Sequence, residues 1–466
     1  MSTVVHDFAV IGGGPSGSTV ATLLARKGYS VALYEMEKFP REHIGESLLP
    51  AGYHLFEELG VLDEMMVRYS RKPGVQFVSP DGKVSSTYCF DAVIPNPTYL
   101  SFHVTRADFD DLLLRNSEKS GVQVFEEHRV QDVDFNAPDG GVEITVVPRG
   151  KAAEKVYAKQ LIDASGQNTF LAKKINSKKG YPNLNRAAIA SHWMMDELPE
   201  ALREGLIQIV YLGGEKLGWF FVIPLELDRI SIGVVLNSAY VKAKREELMA
   251  QGVKDWQQQL YMDEIASSPH VTQIIENAKQ RMPLLVNADY SYYSDMNYGD
   301  NYTIVGDANA FLDPIFSSGV YMGMKSAFLV ADALDKKMKD NTADRNKHIE
   351  NAYTHIQGAY QLVGKFISYF YNQDSFNLAE FGNTAPDARF ERAYSLLHTL
   401  LSGDFFDSYQ RYTQFLDFLQ DPKQFIRYKH YVIEKTDRSL PTCHKRHEDM
   451  FSDFLRAKKR GLATVE

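Results

Sequence analysis

Apolar positions change their spacing along this chain, and each change marks a different kind of structure. Phe8-Ala9-Val10-Ile11 is a short continuous apolar run that stops at glycine, Pro15 to Lys27 carries helical spacing, and Tyr29 to Tyr34 is strand-like again. Strand, helix and strand in that order predict a βαβ unit with its two strands parallel. Further on, Gly74 to Val78, Leu100 to Val104, Ile207 to Tyr211, Trp219 to Leu225 and Ile230 to Val235 read as strands of period two. That texture predicts an antiparallel sheet with one face on a ligand and the other on core or solvent. From about Asp335 onward the spacing is helical, charged as far as Lys347 and then rich in aromatics: Tyr353, Tyr360, Phe366, Tyr369, Phe370, Tyr371, Phe405, Phe406, Tyr409, Tyr412, Phe415 and Phe418. Such stripes predict packing between helices, or the wall of a tunnel for an aromatic ligand.

The turn inside the βαβ unit carries the first chemistry. Gly12, Gly14 and Gly17 complete G-x-G-x-x-G between strand and helix, and Glu35 closes the second strand. Without side chains the first two glycines let the backbone turn tightly and approach a pyrophosphate, whose charge then meets free amides at the positive helix end. Gly17 allows helix and strand to pack closely, and Glu35 stands where a ribose-binding carboxylate is expected. The unit predicts a dinucleotide and leaves FAD and NAD both open.

Composition narrows the partners. The chain has 466 residues, 44% hydrophobic and 24% charged, enough for a large core, and its formal net charge of −9 argues against nucleic acid and an anionic membrane surface. Its two cysteines, Cys89 and Cys443, are far apart in sequence and form no CxxC, so neither a disulfide framework nor a dithiol relay is expected and a reducing cytoplasm is the natural compartment. Met1-Ser2-Thr3 leads straight into the first strand, which leaves no room for a secretory signal, and no apolar run approaches membrane-spanning length. Cys443, His444 and His447 read as a solvated helix end, so no metal is expected. No G-x-S-x-G nucleophile motif occurs.

Three later patches decide between the nucleotides. Val104-Thr105-Arg106-Ala107-Asp108-Phe109-Asp110, Leu161-Ile162-Asp163-Ala164-Ser165-Gly166 and Tyr302-Thr303-Ile304-Val305-Gly306-Asp307-Ala308 follow the glycine-rich unit in order. They resemble the segments by which flavin monooxygenase-type folds return to one FAD, with Arg106 near flavin or pyrophosphate and Asp307 on the ribityl chain. Read without the resemblance, the first patch is a helix start capped by Thr105 or Asp108 with a solvated Arg106. Directly afterwards, Phe311-Leu312-Asp313-Pro314-Ile315-Phe316-Ser317-Ser318-Gly319 reads F-x-x-P-x-F-S-x-G. This resembles the segment that holds halide and isoalloxazine ring in flavin-dependent halogenases.

The resemblance implies an α/β fold, α+β overall: a Rossmann-like FAD-binding domain of the p-hydroxybenzoate hydroxylase type (1–75, 104–180 and 285–335), an inserted antiparallel-sheet substrate domain (76–103 and 181–284) and a C-terminal helical region (336–466). Reduced FAD and oxygen would oxidise chloride or bromide to hypohalous acid, and a lysine would deliver the halogen to an electron-rich carbon. Ser318 and Gly319, starting a helix that runs to about Ala333, would bind the halide at a positive helix end. Lys72, in Arg71-Lys72-Pro73-Gly74, is the candidate catalytic lysine. Trp219-Phe220-Phe221-Val222-Ile223-Pro224 resembles the family's W-x-W-x-I-P, which keeps substrate off the flavin, with Phe221 for the second tryptophan. Arg41-Glu42-His43-Ile44-Gly45-Glu46-Ser47 resembles the loop along the flavin in the phenol and pyrrole subgroup, making Arg41 and Ser47 cofactor contacts. Ser16 and Val130 join Gly12, Gly14, Gly17, Glu35, Arg106 and Asp307 as implied FAD contacts.

Departures refine the substrate. Tryptophan halogenases have glutamate where this chain has Phe316, so the resemblance implies that Phe316 joins Trp219 and Phe221 in shielding substrate and flavin, and that the ring is already activated, a phenol or pyrrole, free or tethered to a carrier protein. The Asp163 loop lacks the D-G motif and following arginine of single-component hydroxylases, which implies a separate flavin reductase. A flavin hydroxylase or saturase of the same fold is the alternative enzyme, and a non-catalytic flavoprotein binding subunit is the alternative outside catalysis. Oligomeric state is left open.

Overall fold

The computed structural model describes residues 5–137, 141–181, 184–212, 216–288, 291–371, 384–386, 391–420, 432–434, 443 and 450. Strand Val5–Ile11, helix Pro15–Arg26 and strand Val31–Tyr34 form the βαβ unit, with the strands parallel from Phe8↔Val31 to Ile11↔Tyr34. Successive residues feed opposite faces. Phe8, Val10 and Leu33 enter one buried cluster, and Ala9, Ile11, Ala32 and Tyr34 enter another. Burial on both faces is why this segment has no polar alternation.

The sheet runs in the order Gln123–Phe125, Val31–Tyr34, Val5–Ile11, Glu154–Asp163, Val142–Pro148, His128–Asp134, and Tyr302–Ile304 lies parallel to the end of Glu154–Asp163. Ile11, Asp163 and Ile304 are therefore register neighbours, and the turns after them open side by side at one sheet edge. This is the crevice at the carboxyl ends of parallel strands where such folds bind ligands. Close approach there depends on Gly17: a Cβ would lie 1.9 Å from the Gly12 carbonyl oxygen, so helix and strand could not pack as they do.

A second sheet follows the order Lys279–Gln280, Arg186–Met194, Arg229–Asn237, Gly218–Glu226, Ile207–Leu212, Gly74–Val78, Ser85–Cys89. Its inner face carries Trp219, Phe221 and Ile223, while Phe220 and Val222 point into an outer cluster with Trp193 and Tyr261. The sheet differs from the expectation in three respects. Ile207–Leu212 and Gly74–Val78 are parallel, so the sheet is mixed. Ser101–His103 pairs with Ser70–Lys72 in a separate ribbon. Leu285–Ala288, assigned by sequence to the nucleotide domain, pairs with Arg186–Met194 in this sheet. Period-two patterning specifies which face is buried but not which partner a short strand takes.

Helices Gly319–Lys339 and Lys347–Tyr371 pack on each other beside the first sheet, with Tyr353, Tyr360, Phe366 and Tyr369 buried between elements. Of the aromatic stripe, the side chain of Phe418 lies outside the described residues, as do His444 and His447. The cysteine expectation is overturned. Cys89 and Cys443 form a disulfide across 354 residues of sequence, with Cα atoms 5.5 Å apart. Cys89 ends the edge strand Ser85–Cys89, and Cys443 lies at that edge, since sequence separation places no limit on spatial distance. With both cysteines paired, cysteine usage gives no ground for a reducing compartment. Among the described residues no helix is long and apolar enough to cross a membrane.

Candidate active site

A cavity of about 350 Å³ extends from the glycine turn to the inner face of the second sheet. Gly12, Gly14 and Ser16 line one end, where the helix amides begin. Glu35 stands beside them, accepting hydrogen bonds from the Gly13 amide at 2.7 Å and the Glu37 amide at 2.8 Å. Burial raises the pKa of its carboxyl against the pull of those amides.

The middle of the cavity rests on a buried charge cluster. Asp110 accepts hydrogen bonds from Arg106 Nε at 2.7 Å, Arg106 Nη2 at 2.9 Å and Arg41 Nη1 at 2.7 Å. Burial alone would raise the pKa of Asp110, but the Arg106 guanidinium holds it below the usual carboxylate range. Arg106 Nη1 also donates to the Ile44 carbonyl at 2.8 Å, tying the Arg41–Ser47 loop to the helix Arg106–Lys119. Arg106 is thus buried, not solvated, and Thr105 makes no side-chain cap. Asp307 lines the cavity opposite, its carboxyl pushed up to about 7 by burial and pulled back in part by Arg106. Arg41 and Ser47 line the same wall. Val130 is buried in strand His128–Asp134 facing Val146 and lies outside the lining.

At the far end, Asp313 caps the short turn Pro314–Phe316, Ser317 adopts φ +55°, and helix Gly319–Lys339 starts with Ser318 as its N-cap. The helix is almost two turns longer than the sequence predicts. Pro314, Ser317 and Gly319 line the cavity, and Ser318 is buried beside them. Amides of a first helical turn have no intrahelical acceptor and sit at the positive end of the dipole. Trp219 and Phe221 line the facing wall. Trp219 Nε1 donates to the Tyr371 hydroxyl at 2.8 Å, and that hydroxyl donates to Asp313 Oδ2 at 2.8 Å, so one relay joins wall and loop. Burial pushes Asp313 up to about 6, opposed by Tyr371 and by Arg186, whose guanidinium lies 4.2 Å over the Tyr371 ring.

The Phe221 ring lies flat against Gly233 on the neighbouring strand, where an added Cβ would come 2.0 Å from Cζ. Gly233→Ala is therefore expected to displace the ring from the cavity wall at a cost of about 1–3 kcal/mol, read by urea denaturation. Unchanged stability would show that Phe221 turns aside freely. Phe316 faces away from the cavity, stacked on Phe366 at 4.0 Å between centroids, and anchors the loop to helix Lys347–Tyr371.

Lys72 ends strand Ser70–Lys72 and is fully buried. Its Nζ donates to the Leu48 carbonyl at 3.0 Å and lies 5.6 Å from the centroid of Phe90. Burial lowers its pKa to about 7. Neighbouring His103 is depressed to about 3, by burial first and by the charge of Lys72 second. Lys72 is not part of the cavity lining; its hydrogen-bond partner directly follows the lining residue Ser47.

The tryptophan halogenase family profile matches residues 7–91 and 81–377. Flavin-dependent halogenase armH3 of Armillaria mellea is 30% identical over 85% of this chain and 80% of its own length. This chain belongs to the flavin-dependent halogenases. A brominase of 1H-pyrrole-2-carbonyl peptidyl-carrier protein from Pseudoalteromonas luteoviolacea is 31% identical over 78% of this chain and 86% of its own. Among solved structures, the flavin-dependent brominase Bmp2 superposes with a TM-score of 0.73 at 27% identity, covering 91% of this chain and 100% of its own.

The cofactor of this halogenase is FAD, and the residues present suit it. The glycine turn admits a pyrophosphate, Glu35 keeps free lone pairs for a ribose, and Arg41 supplies a cation beside Gly14. Three groups of this halogenase site escaped sequence reasoning. Asp110 had a signal, since it stands four residues from Arg106 on one helix. Tyr371 with Asp313, and His192 with Glu46, had none, because each pair joins segments distant in sequence.

Proposed function

We propose that this halogenase puts chloride or bromide onto a phenolic or pyrrolic ring, free or carried by a carrier protein, and receives its reduced FAD from a separate flavin reductase. Bound FAD supplies the oxidising equivalents from oxygen that turn halide into hypohalous acid. The chain's own residues do the rest. The helix start at Ser318 and Gly319 holds the halide anion through its backbone amides. Trp219 and Phe221 keep the organic substrate from the flavin side of the cavity, and the Tyr371–Asp313 relay holds the tryptophan in that wall. Lys72, with an amine pKa lowered by burial, receives the halogen as a hydrogen-bonded hypohalous acid or haloamine and directs it to the ring.

The observation that carries this reading is the cavity itself, in which a helix start faces a tryptophan tethered to the same loop. Two of the relatives are named for pyrrolyl carrier-protein substrates. Supplying reduced FAD, oxygen and bromide with a panel of phenols and pyrroles, and a carrier-bound pyrrole, should yield products with the paired masses of bromine isotopes. Only hydroxylated products would overturn the proposal.

A further inference from the structure

Strand Arg186–Met194 turns Ala188, Ala190 and His192 toward the cavity side and Ile189 and Trp193 toward the outer core. His192 is the cationic candidate at its far end. Its Nε2 lies 2.5 Å from Glu46 Oε1, both side chains are about 95% buried, and Glu46 lines the flavin cavity. The pair joins the second sheet to the loop that runs along the cofactor. We propose that His192 is a positioning residue for the redox state of the flavin: by clamping the Glu46 carboxylate it keeps this wall from becoming net negative, and so favours reduced flavin over oxidised.

The reason is charge. Flavin that has accepted two electrons is an anion near neutral pH, whereas oxidised flavin is neutral. The Arg106 guanidinium also acts on Glu46, but it is already committed to Asp110 through two hydrogen bonds. Asp307, also on the wall, is driven toward its neutral form by burial. Without a protonated His192, Glu46 would face the reduced ring as an uncompensated buried carboxylate. The groups that act on His192 are Glu46 and Glu42, which favour its charge, and Arg229 on the adjacent strand, which opposes it. Although burial by itself disfavours the cation, the Glu46 contact raises the imidazole pKa above its ordinary value.

The inference rests on the flavin reading, and the test separates the two. Anaerobic titration at pH 7 gives the affinity for oxidised and for reduced FAD independently of turnover. His192→Gln should weaken reduced FAD roughly tenfold relative to oxidised FAD. Adding Glu46→Gln removes the uncompensated charge and should return the ratio to within about twofold of the starting protein. Equal losses for both redox states, or a double variant as weak as the single one, would overturn the inference while leaving the flavin site intact. If His192→Gln does not fold, His192→Lys supplies the second measurement. Its preference for reduced FAD should fall less with rising pH than that of the unaltered protein, whose imidazole loses its proton, and parallel curves would overturn the inference. An unaltered chain that binds neither redox state overturns the flavin reading and this inference together.

Discussion

Lys72→Ala is expected to lower halogenation by about 10²–10⁴-fold while FAD affinity and oxygen uptake stay close to those of the unaltered protein. The cavity proposed for the cofactor does not include Lys72, so removing the side chain leaves that surface in place. What disappears is the amine next to the Leu48 carbonyl, buried and depressed to about 7. Product quantification by mass spectrometry, with oxygen consumption measured in parallel, reads the two effects apart. Halogenation at the full rate would remove Lys72 from the mechanism. A pH-dependent stability effect accompanies it. Because the native pKa lies below the ordinary lysine value, the unfolded chain binds more protons between about pH 7 and 10, so stability rises with pH across that window. Lys72→Met should therefore stabilise the fold most below pH 7, on the order of a few kcal/mol, with the gain shrinking toward pH 10.

Asp110→Asn should cost about 3–5 kcal/mol and weaken FAD binding, because it leaves the guanidinium of Arg106 buried beside a neutral amide and removes the anion shared with Arg41. Its side chain is fully buried, so solvent cannot make good the loss. The sign with pH follows from the lowered pKa of Asp110. Its stabilisation is present above the unfolded carboxylate pKa and is lost as pH falls through the lower native value. Guanidinium denaturation at pH 7 and again at acid pH should show the variant and the unaltered chain converging at low pH. A loss under about 1 kcal/mol at pH 7 would mean that the cluster is solvated in solution.

The parts of the site legible in the sequence are those built from contiguous residues. Gly12, Gly14 and Gly17 must be adjacent to make a turn with room for phosphate, and the steric demand shows in the side chains that are missing. The loop from Phe311 to Gly319 is legible for the same reason: a proline-containing turn, a residue with positive φ and a helix start follow one another without interruption. Strand patterning in Trp219 to Leu225 predicts a strand with one face on a ligand and the other on core or solvent, and the structure buries both faces. Partner choice was another matter, since Ser101–His103 and Leu285–Ala288 are too short for their periodicity to select a neighbour.

Lys72 shows where local reading stops. Its position before a proline and a glycine marks it as a candidate, yet nothing local reveals that it is dry, that Leu48 accepts its hydrogen bond or that its charge is disfavoured. Desolvation is a property of everything packed around a group, and the residues around Lys72 come from segments near 48, 90 and 103. The disulfide makes the same point across 354 residues.

The sequence by itself determined the nucleotide crevice, the halogenase family and the aromatic wall, because turns, alternation and motifs are written within one short segment each. Only the tertiary structure decided the electrostatics: Asp110 between two arginines, Tyr371 between Trp219 and Asp313, His192 on Glu46, and Cys89 joined to Cys443. Each of these contacts depends on which segments fold against each other and how much water they exclude, and that is set by packing of the whole chain.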